Sequence, residues 1–327
     1  MAARKIKTKK KKSQKVFKKR KTSLFFYVLL FSFVFIVSVT FTVNSVVQVL
    51  HEPVYEEEEV VAKENTDLPP TPIYIGTPDF PLLSAQAVIA VDLDSGVTLY
   101  EKNPDLKLLP ASTTKIVTSL VALDYYPLEE VLKVQKVNVV GQKMRLVPGE
   151  EITAKDLLYG LLVYSANDAA EVLAENYPGG REVFITAMNL KAEELQLENT
   201  NFSNPSGLET NNHSTTARDL VKVAKHAMQN PIFAEIVSTK EKTVKSVNGE
   251  ITHKLVNINE LLGEVEGVLG VKTGWTENAR ENLVTYIKRG ERNVMIVVLG
   301  SQDRFGETKE LISWIFKNYS WQVKLDG

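Results

Sequence analysis

The chain of 327 residues contains no cysteine. That excludes disulfide staples, thiolate zinc sites and a cysteine nucleophile, and it leaves the compartment open. Histidine is scarce: His51, His213, His226 and His253 are scattered and form no ligand motif, so no metal or other cofactor is expected. Residues 1–22 hold no acid, and residues 23–50 hold no charge of either sign. No internal repeat is present. The net charge of −1 therefore averages over unlike segments.

What is there begins with twelve Lys or Arg in residues 1–22. An apolar run of Leu, Phe, Val and Ile follows, centred on 24–43. About 20 apolar residues suffice to span a bilayer as a helix. A basic block before such a run predicts a cytoplasmic N-terminus, with the rest of the chain outside. A cleaved signal peptide would have an apolar region of about 7–15 residues ending in a small-x-small site. This run is longer, and Thr42 to Val47 makes a poor cleavage site, so an uncleaved transmembrane anchor over 23–50 is expected. The basic block alone would also suit a nucleic-acid tail, but topology already accounts for it.

Residues 51–84 carry eight acids against one base, and six of the 13 prolines. Self-repulsion and proline stiffness favour an extended linker, either a spacer or plain disorder. The remaining region, 85–327, holds 32 acids and 26 bases, a net of −6. That is no basic footprint for nucleic acid. Its length suffices for a substantial core.

Alternation in Gln86–Asp92 and Val97–Glu101 about Asp94-Ser95-Gly96 predicts a hairpin. Helical spacing follows in Ser112–Leu123, Lys155–Val163, Asp168–Glu175, Glu182–Leu195 and Thr216–Met228. Strands are predicted at Lys242–Ser246, Glu250–Leu255, Val268–Thr273, Asn282–Lys288 and Asn293–Leu299, then a helix over Glu307–Asn318. Strands at both ends with helices between predict an α+β domain whose sheet joins the N-terminal hairpin to the C-terminal strands.

Three short motifs carry the chemistry. In Ser112-Thr113-Thr114-Lys115, positions i and i+3 share a helix face, so the amine reaches the hydroxyl. A serine hydroxyl needs an adjacent base, and a lysine serves once burial lowers its pKa. Pro110-Ala111 suits a helix start, where free N–H groups favour a developing oxyanion. Such a motif is expected about once by chance in this composition, and its plain alternative is a helix end with a solvated lysine. Ser165-Ala166-Asn167 falls between two helical runs, where a hydroxyl and an amide could relay a proton and hold a substrate amide; its plain alternative is a helix N-cap. Lys272-Thr273-Gly274 is rarer, with roughly 0.1 chance matches. On an edge strand it offers a cation, a hydroxyl and unobstructed backbone to an extended peptide.

The order S-x-x-K, S-x-N, K-T-G resembles penicillin-binding proteins and class A β-lactamases. The strings Asp156-Leu-Leu-Tyr-Gly-Leu-Leu162, Ser165-Ala-Asn-Asp-Ala-Ala170, Asn204-Pro-Ser-Gly-Leu208 and Gly270-Val-Lys-Thr-Gly-Trp-Thr276 narrow it. They closely resemble serine-type D-alanyl-D-alanine carboxypeptidases, the low-molecular-weight penicillin-binding proteins, over about 85–319. The resemblance implies a β-lactamase/transpeptidase-like fold, an antiparallel sheet with a helical subdomain, and removal of the terminal D-Ala from peptidoglycan stem pentapeptides. It implies Ser112 as the acylated nucleophile, Lys115 as its base, and Ser165 as a proton shuttle. Asn167, Lys272, Thr273 and Gly274 would bind substrate, and the backbone N–H groups of Ser112 and Trp275 would form the oxyanion hole. β-Lactams would acylate Ser112 covalently.

Departures from the family pattern are Ala166 and Arg280, both usually glycine, and a carboxylate-binding arginine for which Arg304 is the candidate. The C-terminal β-domain and amphipathic helix of many relatives have no counterpart, so the N-terminal helix is expected to supply the anchor. No Glu-x-x-Leu-Asn string supports a class A β-lactamase. Endopeptidase action on cross-links uses the same chemistry and stays open, as does an inactive wall-binding protein.

Overall fold

The computed structural model describes residues 28–40, 70–77, 79–135 and 138–322. The chain divides into two compact units, Met1–Thr66 and Asp67–Gly327. In the first, residues 28–40 form helix α1, whose side chains are exposed. The rest of the expected anchor lies outside the described residues. Among those described, no helix is long and apolar enough to cross a membrane.

The second unit is built on a five-stranded antiparallel sheet. Its strands are β2 (Ala87–Asp92), β3 (Thr98–Lys102), β8 (Val268–Thr276), β9 (Arg280–Arg289) and β10 (Arg292–Ser301). They lie in the order β3-β2-β10-β9-β8, so the N-terminal hairpin does join the C-terminal strands. β10 is buried along almost its whole length because both of its faces are covered. Val294, Ile296 and Val298 point to one core, with Leu311, Ile312 and Ile315 of α8 (Arg304–Asn318). Met295, Val297 and Leu299 point to the other, with Ile116, Val117 and Leu120 of α2 (Lys115–Tyr125). This period of two divides one strand between two cores.

The larger core continues into a helical lobe of α3 (Ala154–Leu162), α4 (Asn167–Glu175), α5 (Gly180–Glu194), α6 (Ala217–Met228) and α7 (Pro231–Val237). Caps set several of its helix starts. Thr153 accepts from Asp156 N, Thr216 from Asp219 N, and Asn230 from Ile232 N and Phe233 N, the last followed by Pro231 at the first helical position.

β6 (Glu241–Lys245) and β7 (Thr252–Val256) form the hairpin expected around Asn248-Gly249, but they pair only with each other. They do not extend the main sheet. Of β6 only Val244 is buried, and of β7 only His253 and Leu255. A ribbon with one covered face lies over the domain and does not enter a sheet covered on both sides. Two further pairs had no sequence signal: β4 (Val131–Lys133) with β5 (Glu151–Thr153), and β1 (Thr71–Tyr74) with β11 (Tyr319–Gln322). β1 falls within the stretch whose composition reads as linker.

Candidate active site

A 3-10 turn, Ala111–Thr114, leads into α2 and presents Ser112. Ala111 adopts φ 47°, a conformation that side chains rarely take. The turn is held from the sheet: Asn282 of β9 donates Nδ2 to the carbonyls of Leu109 and Pro110 at 2.9 and 3.1 Å. Gly274 of β8 keeps the third motif close, since a Cβ there would stand 3.1 Å from Ser112 N.

Lys115 is fully buried beneath this turn. Its Nζ lies 2.9 Å from Ser112 Oγ, 2.7 Å from Asn167 Oδ1 and 2.6 Å from the Ser206 carbonyl. A neutral amine has two protons and one lone pair. The two fixed acceptors, Asn167 Oδ1 and Ser206 O, take the protons and leave the lone pair facing the Ser112 hydroxyl. Burial pushes the Lys115 pKa down to about 7, against the upward pull of Asp168 and Glu171.

Ser165 occupies the sharp turn between α3 and α4 at φ 60° and is buried. The N-cap of α4 is Ala166, so Ser165 is not that cap. Its Oγ instead accepts from Lys272 Nζ at 2.8 Å. Lys272 is buried on β8, and burial, then the positive charges of Lys115 and Arg304, push its pKa well down. Asn167 has both ends of its amide engaged, Oδ1 with Lys115 and Nδ2 with the Val140 carbonyl at 2.8 Å. In the resting site it therefore orients Lys115 and fastens the wall of the cleft.

The three motifs thus converge, and they border a cleft of about 770 Å³. Ser112, Ser165, Asn167, Thr273, Gly274 and Trp275 all line it. β8 is the edge of the sheet, so its backbone borders the cleft. Trp275 is 63% exposed on the rim. Of the buried donors without a partner among the described residues, two belong to residues at this cleft: Thr273 Oγ1 and Arg304 Nε. Arg304 also donates to the Gly274 carbonyl at 3.1 Å, so the residue left open from sequence does reach the third motif.

Several supporting groups escaped sequence reasoning. Asp168 accepts from the backbone N–H groups of Met144, Arg145 and Leu146 at 3.0, 2.8 and 3.0 Å. Arg145 sits at φ 68°, which lets successive N–H groups converge on one carboxylate. This pins the loop whose Val140, Gly141 and Gln142 form a wall of the cleft. Asn204 Oδ1 accepts from the N–H groups of Ser206, Gly207 and Leu208, shaping the loop that offers the Ser206 carbonyl to Lys115. A backbone acceptor carries no residue-type signature. The string Asn204-Pro-Ser-Gly-Leu208 marked the loop by resemblance, and an Asx turn at Asn204-Pro205 was a local cue, but neither pointed to the Ser206 carbonyl.

The sequence profile of the D-alanyl-D-alanine carboxypeptidase family matches residues 76–303. The chain belongs to that family. It is 34% identical over 245 residues to the D-alanyl-D-alanine carboxypeptidase DacF of Bacillus subtilis, covering 72% of this chain and 63% of that protein. The match thus spans under two thirds of that relative's length. It is 35% identical over 241 residues to a D-alanyl-D-alanine endopeptidase of Pseudomonas aeruginosa, covering 71% of this chain and 77% of that protein. The crystal structure of the Streptomyces K15 DD-transpeptidase superimposes with a TM-score of 0.70 at 33% identity, covering 73% of this chain and 99% of that one. The α+β, transpeptidase-like fold expected from sequence is thereby shown.

The departures from this family's pattern have local explanations. Ala166 adopts φ −64° and ψ 123°, extended backbone in which any residue fits. Arg280 adopts φ 56°, the left-handed conformation that the usual glycine takes without strain.

Proposed function

We propose that this chain is a serine D,D-carboxypeptidase that removes the terminal D-Ala from peptidoglycan stem pentapeptides through an acyl-enzyme on Ser112. The observation that carries the reading is the buried Lys115 amine, 2.9 Å from Ser112 Oγ with its other contacts taken by fixed acceptors. Ser112 Oγ attacks the carbonyl of the penultimate D-Ala as its proton passes to Lys115. The negative charge that develops on the carbonyl oxygen is met by the backbone N–H groups of Ser112 and Trp275. The C–N bond then breaks. The leaving D-Ala amine receives a proton relayed through Ser165, whose Oγ is hydrogen-bonded to Lys272. Water, with Lys115 again as base, cleaves the ester, releases the tetrapeptide carboxylate and restores the Ser112 hydroxyl.

The terminal carboxylate of the substrate fits beside Thr273 Oγ1 and Arg304, whose unpartnered donors are supplied with an acceptor by such a ligand. Gly274 leaves the edge of β8 open to an extended peptide. Penicillins mimic this substrate and acylate the same hydroxyl. We further propose that residues 23–50 anchor the enzyme in the cell membrane with residues 1–22 cytoplasmic and the catalytic unit outside. That reading rests on the charge asymmetry, the uncharged apolar run and the helical, exposed 28–40.

Incubating the full-length chain with a pentapeptide ending in D-Ala-D-Ala tests the activity. Mass spectrometry should find loss of one D-Ala, and Ser112→Ala should abolish it. An endopeptidase reading is favoured by the likeness to the Pseudomonas aeruginosa endopeptidase. It predicts cleavage of a cross-linked dimer faster than of the pentapeptide.

A further inference from the structure

His213 is buried and lies outside the three motifs. Its surroundings fix its tautomer. The backbone N–H of Ser203 can only donate, and it reaches His213 Nδ1 at 3.1 Å. Nδ1 therefore accepts, and the ring proton sits on Nε2. Nε2 lies 2.8 Å from Thr114 Oγ1, so the imidazole donates to that hydroxyl. Phe202 packs edge-on to the ring at 5.8 Å between centroids. Burial pushes the His213 pKa down to about 4, so the ring stays neutral where the enzyme works.

Both ends of this ring touch pieces of the acylation machinery without touching the cleft. Thr114 lies between Ser112 and Lys115 in the nucleophile turn. Ser203 begins the loop whose Ser206 carbonyl takes a proton of Lys115. One further bond ties the same two pieces, from Thr118 Oγ1 to the Pro205 carbonyl at 2.6 Å.

We propose that His213 is a positioning residue, a neutral strut that sets the spacing between the Ser112–Lys115 turn and the Ser206 carbonyl, and so aims the lone pair of Lys115 at Ser112. The inference rests on the reading of Ser112 and Lys115 as nucleophile and base. Without the strut the 203–208 loop recedes, Lys115 loses a fixed acceptor, and water enters beside the amine. The charges facing Lys115 are Asp168 and Glu171 from α4 and Lys272 from β8. None of these is hydrogen-bonded to His213, Thr114 or Ser203. Hydration of the amine is therefore the main change, and it favours the ammonium form.

The experiment measures acylation of the full-length chain by a fluorescent penicillin across pH. His213→Ala and the near-isosteric Thr114→Val should each slow acylation roughly ten- to hundred-fold, the scale of a small misplacement of reacting groups. Both should move the acid limb of the profile to higher pH. His213→Gln, which can restore a donor toward Thr114, should recover much of the rate and return the limb. The double variant should be little worse than either single one, since both break the same bond. A limb and rate unchanged in folded His213→Ala would overturn the inference. Should that variant fail to fold, an unchanged limb in Thr114→Val would overturn it equally. A wild-type chain that never acylates would instead overturn the Ser–Lys reading, and this inference with it.

Discussion

Gly207 faces the carbonyl of Ala111 so closely that a Cβ on it would stand 1.9 Å from that oxygen. Gly207 also takes φ 87°. The loop carrying the Ser206 acceptor and the turn carrying Ser112 therefore meet backbone to backbone. Gly207→Ala should destabilise the protein by roughly 2–4 kcal/mol, combining overpacking with left-handed strain. Acylation by penicillin should fall further than the folded fraction does. Denaturant unfolding beside labelling of the remaining folded protein separates the two effects.

The pH dependence follows from Lys115. Its pKa is lowered from 10.5 to about 7, and in the proposed mechanism the neutral amine is the working base. Acylation should therefore fall as pH drops through about 7. Between about 7 and 10.5 the unfolded state binds the extra proton, so this group makes stability rise with pH across that window. His213, at about 4, cannot produce the limb. Stopped-flow acylation and parallel unfolding curves check both signs; a limb near pH 5 would contradict the assignment.

Thr273 Oγ1 is buried with no partner among the described residues. Thr273→Val keeps the shape and removes an unsatisfied hydroxyl, so stability should hold or improve slightly. Binding of a peptide carboxylate should weaken about 10- to 100-fold, the scale of a hydrogen bond to a charged group. A rise in KM with an unchanged melting temperature is the expected pattern.

Arg280 is exposed at φ 56°, where a glycine would be unstrained. Arg280→Gly should stabilise the protein by roughly 0.5–1 kcal/mol. Activity should be retained, since Arg280 is not among the residues lining the cleft. Urea unfolding measures the gain.

Much of this site was legible in the sequence because its chemistry demands residue types. Ser112, Lys115, Ser165 and Lys272 lie in motifs whose spacing and order carry the signal. The strands of the main sheet were legible through alternation or continuous apolar runs. The hairpin at Asn248-Gly249 was visible as a turn, but its place outside the sheet was not. That depends on which faces other elements cover. β4 and β5 are three residues each, too short to show a period. Ser206 contributes a carbonyl, which every residue has. Asp168 was legible only as the first residue of the helix predicted over Asp168–Glu175, and only the folded loop shows that it gathers the backbone N–H groups of Met144, Arg145 and Leu146. His213 looked like one of four scattered histidines. Its meaning arises from contacts to Thr114 and Ser203, 99 and 10 residues away.

The central claim is that Ser112, activated by Lys115, becomes covalently acylated. Intact-protein mass spectrometry of the full-length chain after exposure to benzylpenicillin tests it most directly. One adduct of the whole penicillin mass is expected on the wild type, since ring opening expels nothing. No adduct is expected on Ser112→Ala, and strongly slowed adduct formation on Lys115→Ala. An unmodified wild type, or an adduct that persists on Ser112→Ala, would contradict it.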